Sequence, residues 1–212
     1  MIDIETARHY YRENDSAHGF EHVLRVWRLA QRIGSLEGAD MDILQAATLL
    51  HDVGRPEEAR TGRSHAEIGA EWARRILAGH PPEKVEAVAR AILQHRFRGA
   101  EVPDTVEARV LHDADKLDAI GAIGIARAYA VAGQYRQRLW AEVGAEYAER
   151  PPAEGQNDLT SLEHTPVHEY LFKLRKLASQ MYTETGRRLA EERSAYMAGF
   201  FERLTREVTG EI

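Results

Sequence analysis

Apolar residues recur at helical spacing along almost the whole of this 212-residue chain. In the first clear segment, about residues 20–34, they lie three and four positions apart, as they do on one face of an α-helix. Gly and Pro residues interrupt the pattern and mark the predicted helix ends. Further helices are predicted at about 40–51, 65–79, 82–96 and 105–132, and from about 166 and 183 onwards. No segment alternates as a half-buried strand does, so the sequence predicts an all-α fold.

We expect these helices to form a single domain over residues 1–212. Its core would span about 16–133, with C-terminal helices at about 166–209 packed on that core. The short polar stretch 56–63 is predicted to be a loop. Between the two helical parts, about 134–165, the pattern fails, and its least regular portion carries Gly144 and the Pro151-Pro152 pair. Long irregular segments in compact domains are usually functional or disordered, so this excursion is predicted to be lid-like.

The composition excludes several classes of protein. There is no apolar run of about 18 residues, as a transmembrane helix needs, and the N-terminus lacks the apolar stretch of a signal peptide. The absence of Cys excludes disulfide scaffolds, thiolate zinc sites and cysteine nucleophiles. A net charge of −6 argues against nucleic acid as a partner. We expect a cytoplasmic protein without membrane or nucleic-acid partners; a homodimer is compatible with the sequence.

Side chains of the kinds that ligate metals lie on the apolar stripes of the predicted helices. His22, His51, His65 and His95 each belong to a different stripe, and Asp115 belongs to a fifth. A single His in such a place is usually a hydrogen-bonded core residue, so the prediction depends on the joint pattern. Unpaired polar groups on apolar faces cost free energy, and a buried carboxylate costs several kcal/mol unless it is neutralised. A shared divalent metal would satisfy all of them.

The chain contains the His-Asp dipeptide twice, and only the context of each copy separates them. His51-Asp52 ends the apolar segment AATLL and is followed by the chain-breaking Val53-Gly54-Arg55. That context places both side chains at a helix C-terminus beside a loop. The second copy, His112-Asp113, has no such context. We therefore predict that His51-Asp52 is the functional copy.

The spacing His22, then His51-Asp52, then Asp115 resembles the signature of the HD-domain phosphohydrolase superfamily. The phrases HGFEHVLRVWRLA, LLHDVGR, SHAEIGAEWA, AILQH and DADKLDAIGAIGIARA are similar to its YedJ/YpgQ-type branch of small bacterial hydrolases. The C-terminal segment HEYLFKLRKLASQMYTETGRRLAEER is similar to the tail of that branch. The resemblance covers nearly the whole chain apart from about 134–160.

This resemblance implies a helical fold in which one divalent metal is ligated by His22, His51, Asp52 and Asp115. In dinuclear relatives the HD aspartate bridges to a second metal, and the phrases holding His65 and His95 match that site. Some of those relatives have a second His where this chain has Arg96, so one metal is the firmer prediction. Imidazole-rich ligation suits transition metals. We expect Mn²⁺, with Fe, Co, Ni, Zn or Mg as alternatives.

Such a metal lowers the pKa of a bound water and aims the hydroxide at phosphorus. Because phosphoryl transfer depends on charge neutralisation, cationic residues are expected nearby. The predicted substrate-binding residues are Arg55, Arg96, Lys116 and Lys173. The alternative for each of them is a solvated surface charge.

Two residues just before the first predicted ligand are candidates for moving protons. His18 and Glu21 could protonate a leaving group or orient the attacking water. Glu21 could equally be a first-turn acid that stabilises the helix dipole. With these included, the predicted catalytic residues are Asp52, His18, Glu21, Arg55 and Lys116.

The predicted activity is hydrolysis of a nucleotide, releasing pyrophosphate from a (deoxy)nucleoside triphosphate or phosphate from a monophosphate. Guanosine-tetraphosphate hydrolases carry a Glu-Asp pair soon after their HD, where this chain has Arg55-Pro56-Glu57-Glu58. The GYP tripeptide of the cyclic-di-GMP subclass is also absent. Two alternatives stay open: an HD-type di-iron oxygenase, and a non-catalytic nucleotide-binding regulator.

Overall fold

The computed structural model describes residues 1–11, 19–96, 102–149 and 160–212, with Ala145 and Ala148 described in backbone only. All regular secondary structure in these ranges is helical, as predicted. The α-helices are α1 (Ile4–Arg8), α2 (Phe20–Glu37), α3 (Met41–Leu50), α4 (Arg55–Thr61), α5 (His65–Ile76), α6 (Pro82–Gln94), α7 (Val106–Asp118), α8 (Gly121–Gln134), α9 (Pro166–Phe172) and α10 (Glu184–Val208). Two 3₁₀ helices span Ala145–Glu149 and Leu174–Gln180. No helix within the described ranges is long and apolar enough to cross a membrane.

The chain divides into two compact units. The first comprises Met1–Lys116 and Met181–Gly186, and the second comprises Leu117–Gln180 and Arg187–Ile212. The helix α7 ends, and α10 begins, close to a boundary between them. That the chain acts as one domain remains a prediction.

In the first unit, α3 is the central helix and packs against α2, α5 and α6. It begins where the Asp40 carboxylate accepts hydrogen bonds from the backbone N–H groups of Asp42 and Ile43, which otherwise have no partner in the helix. Leu44, Ala47 and most of its later residues are fully buried. The C-terminal end of α3 therefore lies in the interior, and whatever follows Leu50 starts from a buried position.

The predicted loop at 56–63 is wrong, because a helix occupies most of it. The helix α4 has Pro56 in its first turn and Gly62 in the left-handed conformation at its end, with φ +74°. Pro at the start and Gly just past the end are the usual signals of a short helix. Gly54 directly precedes α4, and a Cβ at Gly54 would lie 2.4 Å from the carbonyl oxygen of His65. Glycine is thus required there for the backbone to approach α5 closely.

The predicted helix at about 105–132 is two helices, α7 and α8. The chain leaves helical geometry at Ala119 and Ile120, and Gly121 has φ +75°, which favours glycine. The break therefore falls at the first of the two glycines, Gly121 and Gly124, that interrupt this segment of the sequence.

In the second unit, α8 and α9 pack together, and α9 also contacts both 3₁₀ helices. The predicted start of α9 at Thr165-Pro166 is correct, but α9 ends at Phe172. On α10, the Phe201 ring stacks on Tyr170 at 4.4 Å, and Trp140 donates a hydrogen bond to Thr205. Residues 135–144 form no helix, residues 150–159 lie outside the described ranges, and the lid-like role of the excursion stays a prediction.

Candidate metal centre

The first unit brings together ligand-type side chains from five helices. They are His22 in the first turn of α2, His51 and Asp52 just after α3, His65 at the start of α5, His95 just after α6, and Asp115 in α7. All except Asp115 are at most 2% exposed. Five of the six, all except Asp115, stand in the first turn of a helix or just after its last residue, so the helix backbone fixes where each of these side chains starts. The convergence predicted from the apolar stripes is present.

The first group of ligands consists of His22, His51 and Asp52. The Nε2 atoms of both histidines lie 3.7 Å from Oδ2 of Asp52. His22 Nε2 also lies 3.4 Å from Oδ1 of Asp115, whose side chain is 14% exposed. Asp115 therefore reaches this group through His22.

The second group consists of Asp52, His65 and His95. The Nε2 atoms of His65 and His95 lie 3.7 and 4.0 Å from Oδ1 of Asp52. Asp52 therefore presents Oδ2 to one pair of imidazoles and Oδ1 to another. Asp52 could therefore contribute one oxygen to each of the two ligand groups.

In three of the imidazoles, Nδ1 lies within hydrogen-bonding distance of an oxygen acceptor. His51 Nδ1 lies 2.8 Å from the carbonyl oxygen of Thr48, and His95 Nδ1 lies 2.5 Å from that of Ile92. His65 Nδ1 lies 2.8 Å from a carboxylate oxygen of Glu58. Because carbonyl and carboxylate oxygens accept hydrogen bonds, Nδ1 carries the proton and donates it to them, and the neutral ring keeps a lone pair on Nε2, the atom that faces Asp52.

Two atoms at the centre lack a hydrogen-bond partner among the described residues. His51 Nε2 and Asp52 Oδ2 are buried and form no hydrogen bond there. Leaving such groups unsatisfied in the interior costs free energy. Two ligands bonded at about 2.0–2.2 Å to a common ion lie roughly 3–4 Å apart, and the distances here fall in that interval. The residues present thus fit a divalent metal with nitrogen and oxygen ligands.

The electrostatics favour the protonation states that bind metals. Burial lowers the pKa of His51 and of His65, and lowers that of His95 well below the usual range. Burial opposes ionisation of Asp52, but His51 and Arg55 outweigh it and hold the pKa of this carboxyl far below its ordinary value. For Asp115, Lys116 and His22 similarly outweigh burial and lower the pKa. Neutral imidazoles beside ionised carboxylates are the forms that ligate metals.

The predicted cationic residues of this unit lie beside the acids of the centre. Arg55 donates from Nε to Oδ1 of Asp52 at 2.9 Å, and Lys116 donates to Oδ2 of Asp115 at 2.7 Å. Arg96 donates to the Ser64 hydroxyl at 3.0 Å, and its Nη2 lies 3.4 Å from Glu58. The side chains of Arg55 and Arg96 are 33% and 34% exposed, so both are partly open to solvent.

The remaining predicted site residues have different surroundings. Glu21 is exposed in the first turn of α2, where its charge also suits the helix N-terminus. His18 lies outside the described residues. Lys173 belongs to the second unit, where its ammonium donates to the Glu169 carboxylate at 2.9 Å.

Two residues with clear roles were missed by reasoning from the sequence. The Glu58 carboxylate accepts a hydrogen bond from Nδ1 of His65. A loop at 56–63, as predicted, gives no reason to place Glu58 beside that ring. Asp113, of the second His-Asp copy, is fully buried and accepts hydrogen bonds from the backbone N–H groups of Tyr182 and Thr183 and from the Thr183 hydroxyl. These partners lie about 70 positions away in sequence, so no local signal identifies them.

Comparison with known proteins places this geometry in a family. The HD domain model matches residues 19–120, the range that holds all six ligand-type side chains. The Bacillus subtilis protein YpgQ, described as uncharacterized, is 32% identical over 205 residues, covering 93% of this chain and 88% of that protein. The chain belongs to the HD domain family.

Solved structures of HD proteins have the same fold. The crystal structure of B. subtilis YpgQ in complex with ADP matches with a TM-score of 0.72 at 28% identity, covering 98% of this chain and 99% of that chain. A predicted HD-superfamily hydrolase from an uncultured Thermotogales bacterium matches with a TM-score of 0.66 at 30% identity, covering 96% and 90%. These neighbours identify the chain as an HD-superfamily hydrolase of the phosphohydrolase type, and HD domains bind divalent metals.

Part of the HD region is also shared with a longer enzyme. Ribonuclease Y of a Sulfurovum species is 38% identical over 109 residues, which is 51% of this chain. The chain spans only 20% of the length of that protein. The similarity therefore supports the HD region and no more.

Proposed function

We propose that this protein is a metal-dependent phosphohydrolase that acts on a nucleotide. The observation that carries the proposal is the buried Asp52, with two imidazole Nε2 atoms beside each carboxylate oxygen. The nucleotide is suggested by YpgQ, whose structure contains ADP and whose chain is similar over nearly its full length. The HD family relation supplies the reaction class, hydrolysis at phosphorus.

His22, His51, Asp52 and Asp115 would hold the first metal ion, for which Mn²⁺ is our leading candidate. Asp52, His65 and His95 would hold a second. When bound, such ions acidify water and neutralise charge on phosphoryl oxygens.

The cationic side chains would bind the substrate. Arg55 and Arg96 each have part of the guanidinium open to solvent, and a guanidinium can donate two hydrogen bonds to one phosphate group. Lys116 would offer a single positive charge beside Asp115. We also keep Lys173 among the proposed substrate-binding residues, its side chain being 39% exposed.

Proton transfer is assigned to the residues that precede His22. Glu21 is exposed, so it can exchange protons with solvent and orient a water molecule. His18 is proposed to protonate the leaving group. Release of pyrophosphate from a triphosphate is favoured over release of phosphate, because triphosphate pyrophosphohydrolases occur among similar HD proteins.

The test is metal analysis followed by a nucleotide panel. Purified protein would be loaded with Mn²⁺ and given nucleoside and deoxynucleoside mono-, di- and triphosphates, with phosphate and pyrophosphate measured separately. A short RNA serves as the control for the ribonuclease similarity. We expect turnover of a nucleotide and its loss in His51→Ala and Asp52→Ala, together with the metal. Metal content and turnover that persist in both variants would refute the proposal.

A second candidate is a di-iron oxygenase, which the second ligand group favours because that chemistry needs two metals. Oxygen consumption by the Fe²⁺-loaded protein, with no nucleotide hydrolysis, would support it.

A non-catalytic regulator is a further alternative. Such a protein would bind nucleotides in the presence of metal, but it would turn over neither a nucleotide nor a generic phosphoester.

A further inference from the structure

Glu58 connects three of the functional side chains of the centre, although it lies outside both ligand groups. Its Oε2 atom lies 2.8 Å from Nδ1 of His65, and its Oε1 atom accepts a hydrogen bond from the His65 backbone N–H at 3.3 Å. The same carboxylate lies 3.5 Å from Nη1 of Arg55 and 3.4 Å from Nη2 of Arg96. Glu58 therefore holds one imidazole and stands between two guanidinium groups.

The contact with His65 differs from those of the neighbouring histidines. His51 and His95 each have Nδ1 bonded to a carbonyl oxygen of the helix turn that precedes them, so their orientation follows from the local backbone. His65 begins α5 and depends on a side chain seven residues earlier. Its orientation is thus separable from the backbone, and a single substitution can remove it.

The charge of Glu58 also matters for the second ligand group. Asp52 Oδ1 faces His65 and His95, and it already accepts a hydrogen bond from Arg55 Nε. Removing Glu58 would leave Arg55 with Asp52 as its nearest remaining acid and leave Arg96 without its carboxylate. The positive charge of both guanidinium groups, no longer balanced by Glu58, would disfavour a cation at the second ligand group.

We propose that Glu58 is a positioning residue for the second ligand group: it holds His65 with Nε2 toward Asp52, and its negative charge balances the guanidinium groups of Arg55 and Arg96 beside that group. The proposal rests on the proposed function, in which Asp52, His65 and His95 bind a metal. It assigns a role in the site to α4. A carboxylate that fixes a ligand imidazole is a recurring outer-shell arrangement, and its loss typically costs about 10- to 100-fold in metal affinity or activity.

The first experiment uses the metal-free protein and so does not depend on activity. The ¹⁵N chemical shifts of the His65 ring report which nitrogen carries the proton. We expect the Nδ1–H form to dominate in the wild type and in Glu57→Ala, and the two tautomers to become comparable in Glu58→Ala. Glu57 is a matched control, because it precedes Glu58 in the same helix and its carboxylate lies 3.9 Å from the Arg60 guanidinium. Unchanged His65 shifts in Glu58→Ala would overturn the proposal.

The second experiment is a titration with Mn²⁺, or with Co²⁺ for its absorption spectrum. We expect two binding steps in the wild type and in Glu57→Ala. In Glu58→Ala the weaker step should lose about 10- to 100-fold in affinity while the stronger step is retained. Glu58→Gln keeps an acceptor for Nδ1 without the charge, and it should restore the His65 tautomer but only part of the affinity. Equal weaker-step affinities in Glu58→Ala and the wild type would contradict the role of Glu58.

These readouts separate this proposal from the proposed function. If the wild type binds two ions but hydrolyses no nucleotide, the proposed function fails and the role of Glu58 is still decided by the titration. If the wild type binds only one ion, the role of Glu58 at a second metal is refuted, while hydrolysis with one metal can still be observed.

Discussion

At the scale of single residues, the two His-Asp pairs show how surroundings decide the role of a carboxylate. Asp52 Oδ2 is buried without a hydrogen bond among the described residues and faces two imidazoles. Asp113 is equally buried, but its oxygens accept three hydrogen bonds from Tyr182 and Thr183. Asp52 is therefore available to a cation, whereas Asp113 is already satisfied by the chain.

Glu169 gives a prediction at this scale about acid stability. Burial opposes its ionisation, but Lys173 and His164 outweigh burial and lower its pKa from 4.5 to about 2. A pKa that is lower in the folded state means that the carboxylate stabilises the fold above pH 4.5, and that this contribution is lost as the pH falls toward 2. The contribution is on the order of 3 kcal/mol above pH 4.5.

The measurement is urea unfolding of the wild type and of Glu169→Gln between pH 7 and pH 3. We expect the variant to be less stable at pH 7 and the difference to shrink steadily below pH 4.5. Glu163→Gln is the control, because the Glu163 side chain is 84% exposed, and it should change stability little at any pH. If the difference in free energy of unfolding between the wild type and Glu169→Gln grew as the pH fell, the lowered pKa of Glu169 would be contradicted.

At the scale of helices, α7 is joined to the start of α10 by Asp113. The Thr183 hydroxyl donates to Asp113 and accepts a hydrogen bond from the backbone N–H of Gly186, so it also caps the first turn of α10. The carboxylate and this hydroxyl together satisfy N–H groups that a helix start leaves without partners. All of these residues belong to the first unit.

We predict that Asp113→Asn destabilises the protein by about 2–4 kcal/mol, because it weakens three hydrogen bonds to a buried carboxylate. Thr183→Val should cost less, about 1–2 kcal/mol, through loss of the cap. Since the two side chains share a bond, the double variant should lose less than the sum of the single losses. Chemical denaturation measures all three, and strictly additive losses would show that the contact is not a coupled unit. The folded Asp113→Asn protein should keep its metal.

The short helix α4 shows what an element contributes beyond its own stability. With seven residues and none of them buried, it has little core of its own. It nevertheless carries Arg55 and Glu58 beside Asp52 and His65. The helix α4 therefore contributes side chains to the centre rather than buried packing area.

At the scale of the whole molecule, metal binding should be linked to folding. The proposed ligands come from helices spread over much of the first unit, and the unfolded chain does not hold them together. An ion that binds only the folded state stabilises it by about 2.7 kcal/mol when its free concentration is 100 times its dissociation constant. We therefore predict that chelation lowers the melting temperature and that Mn²⁺ restores it in a concentration-dependent manner.

Circular dichroism melts with EDTA and with graded Mn²⁺ measure this linkage. Asp52→Asn is the control and should melt at the same temperature in both conditions. Hydrogen exchange should show greater protection with Mn²⁺ mainly in Met1–Lys116, the part of the chain that holds the ligands. A melting temperature that does not respond to metal in the wild type would contradict the linkage.

Much of this arrangement follows from the sequence because its causes are local. Helical spacing of apolar residues gave the helices, and the same spacing identified His22, His51, His65 and His95 as facing inward. The resemblance to HD proteins and the helical spacing both select His51-Asp52, and not His112-Asp113, as the functional pair. The prediction at α4 is wrong because the polarity of this segment favours a loop, whereas its Pro and Gly residues mark the ends of a short helix.

Only the tertiary structure decides which groups that lie far apart in the chain come into contact. That Asp52 offers one oxygen to His22 and His51 and the other to His65 and His95 depends on where four helices meet. The bonds of Asp113 to Thr183 likewise cross about 70 residues. Periodicity tells which face of a helix is buried, but not which other helix covers it, because that choice is made by packing of the whole chain.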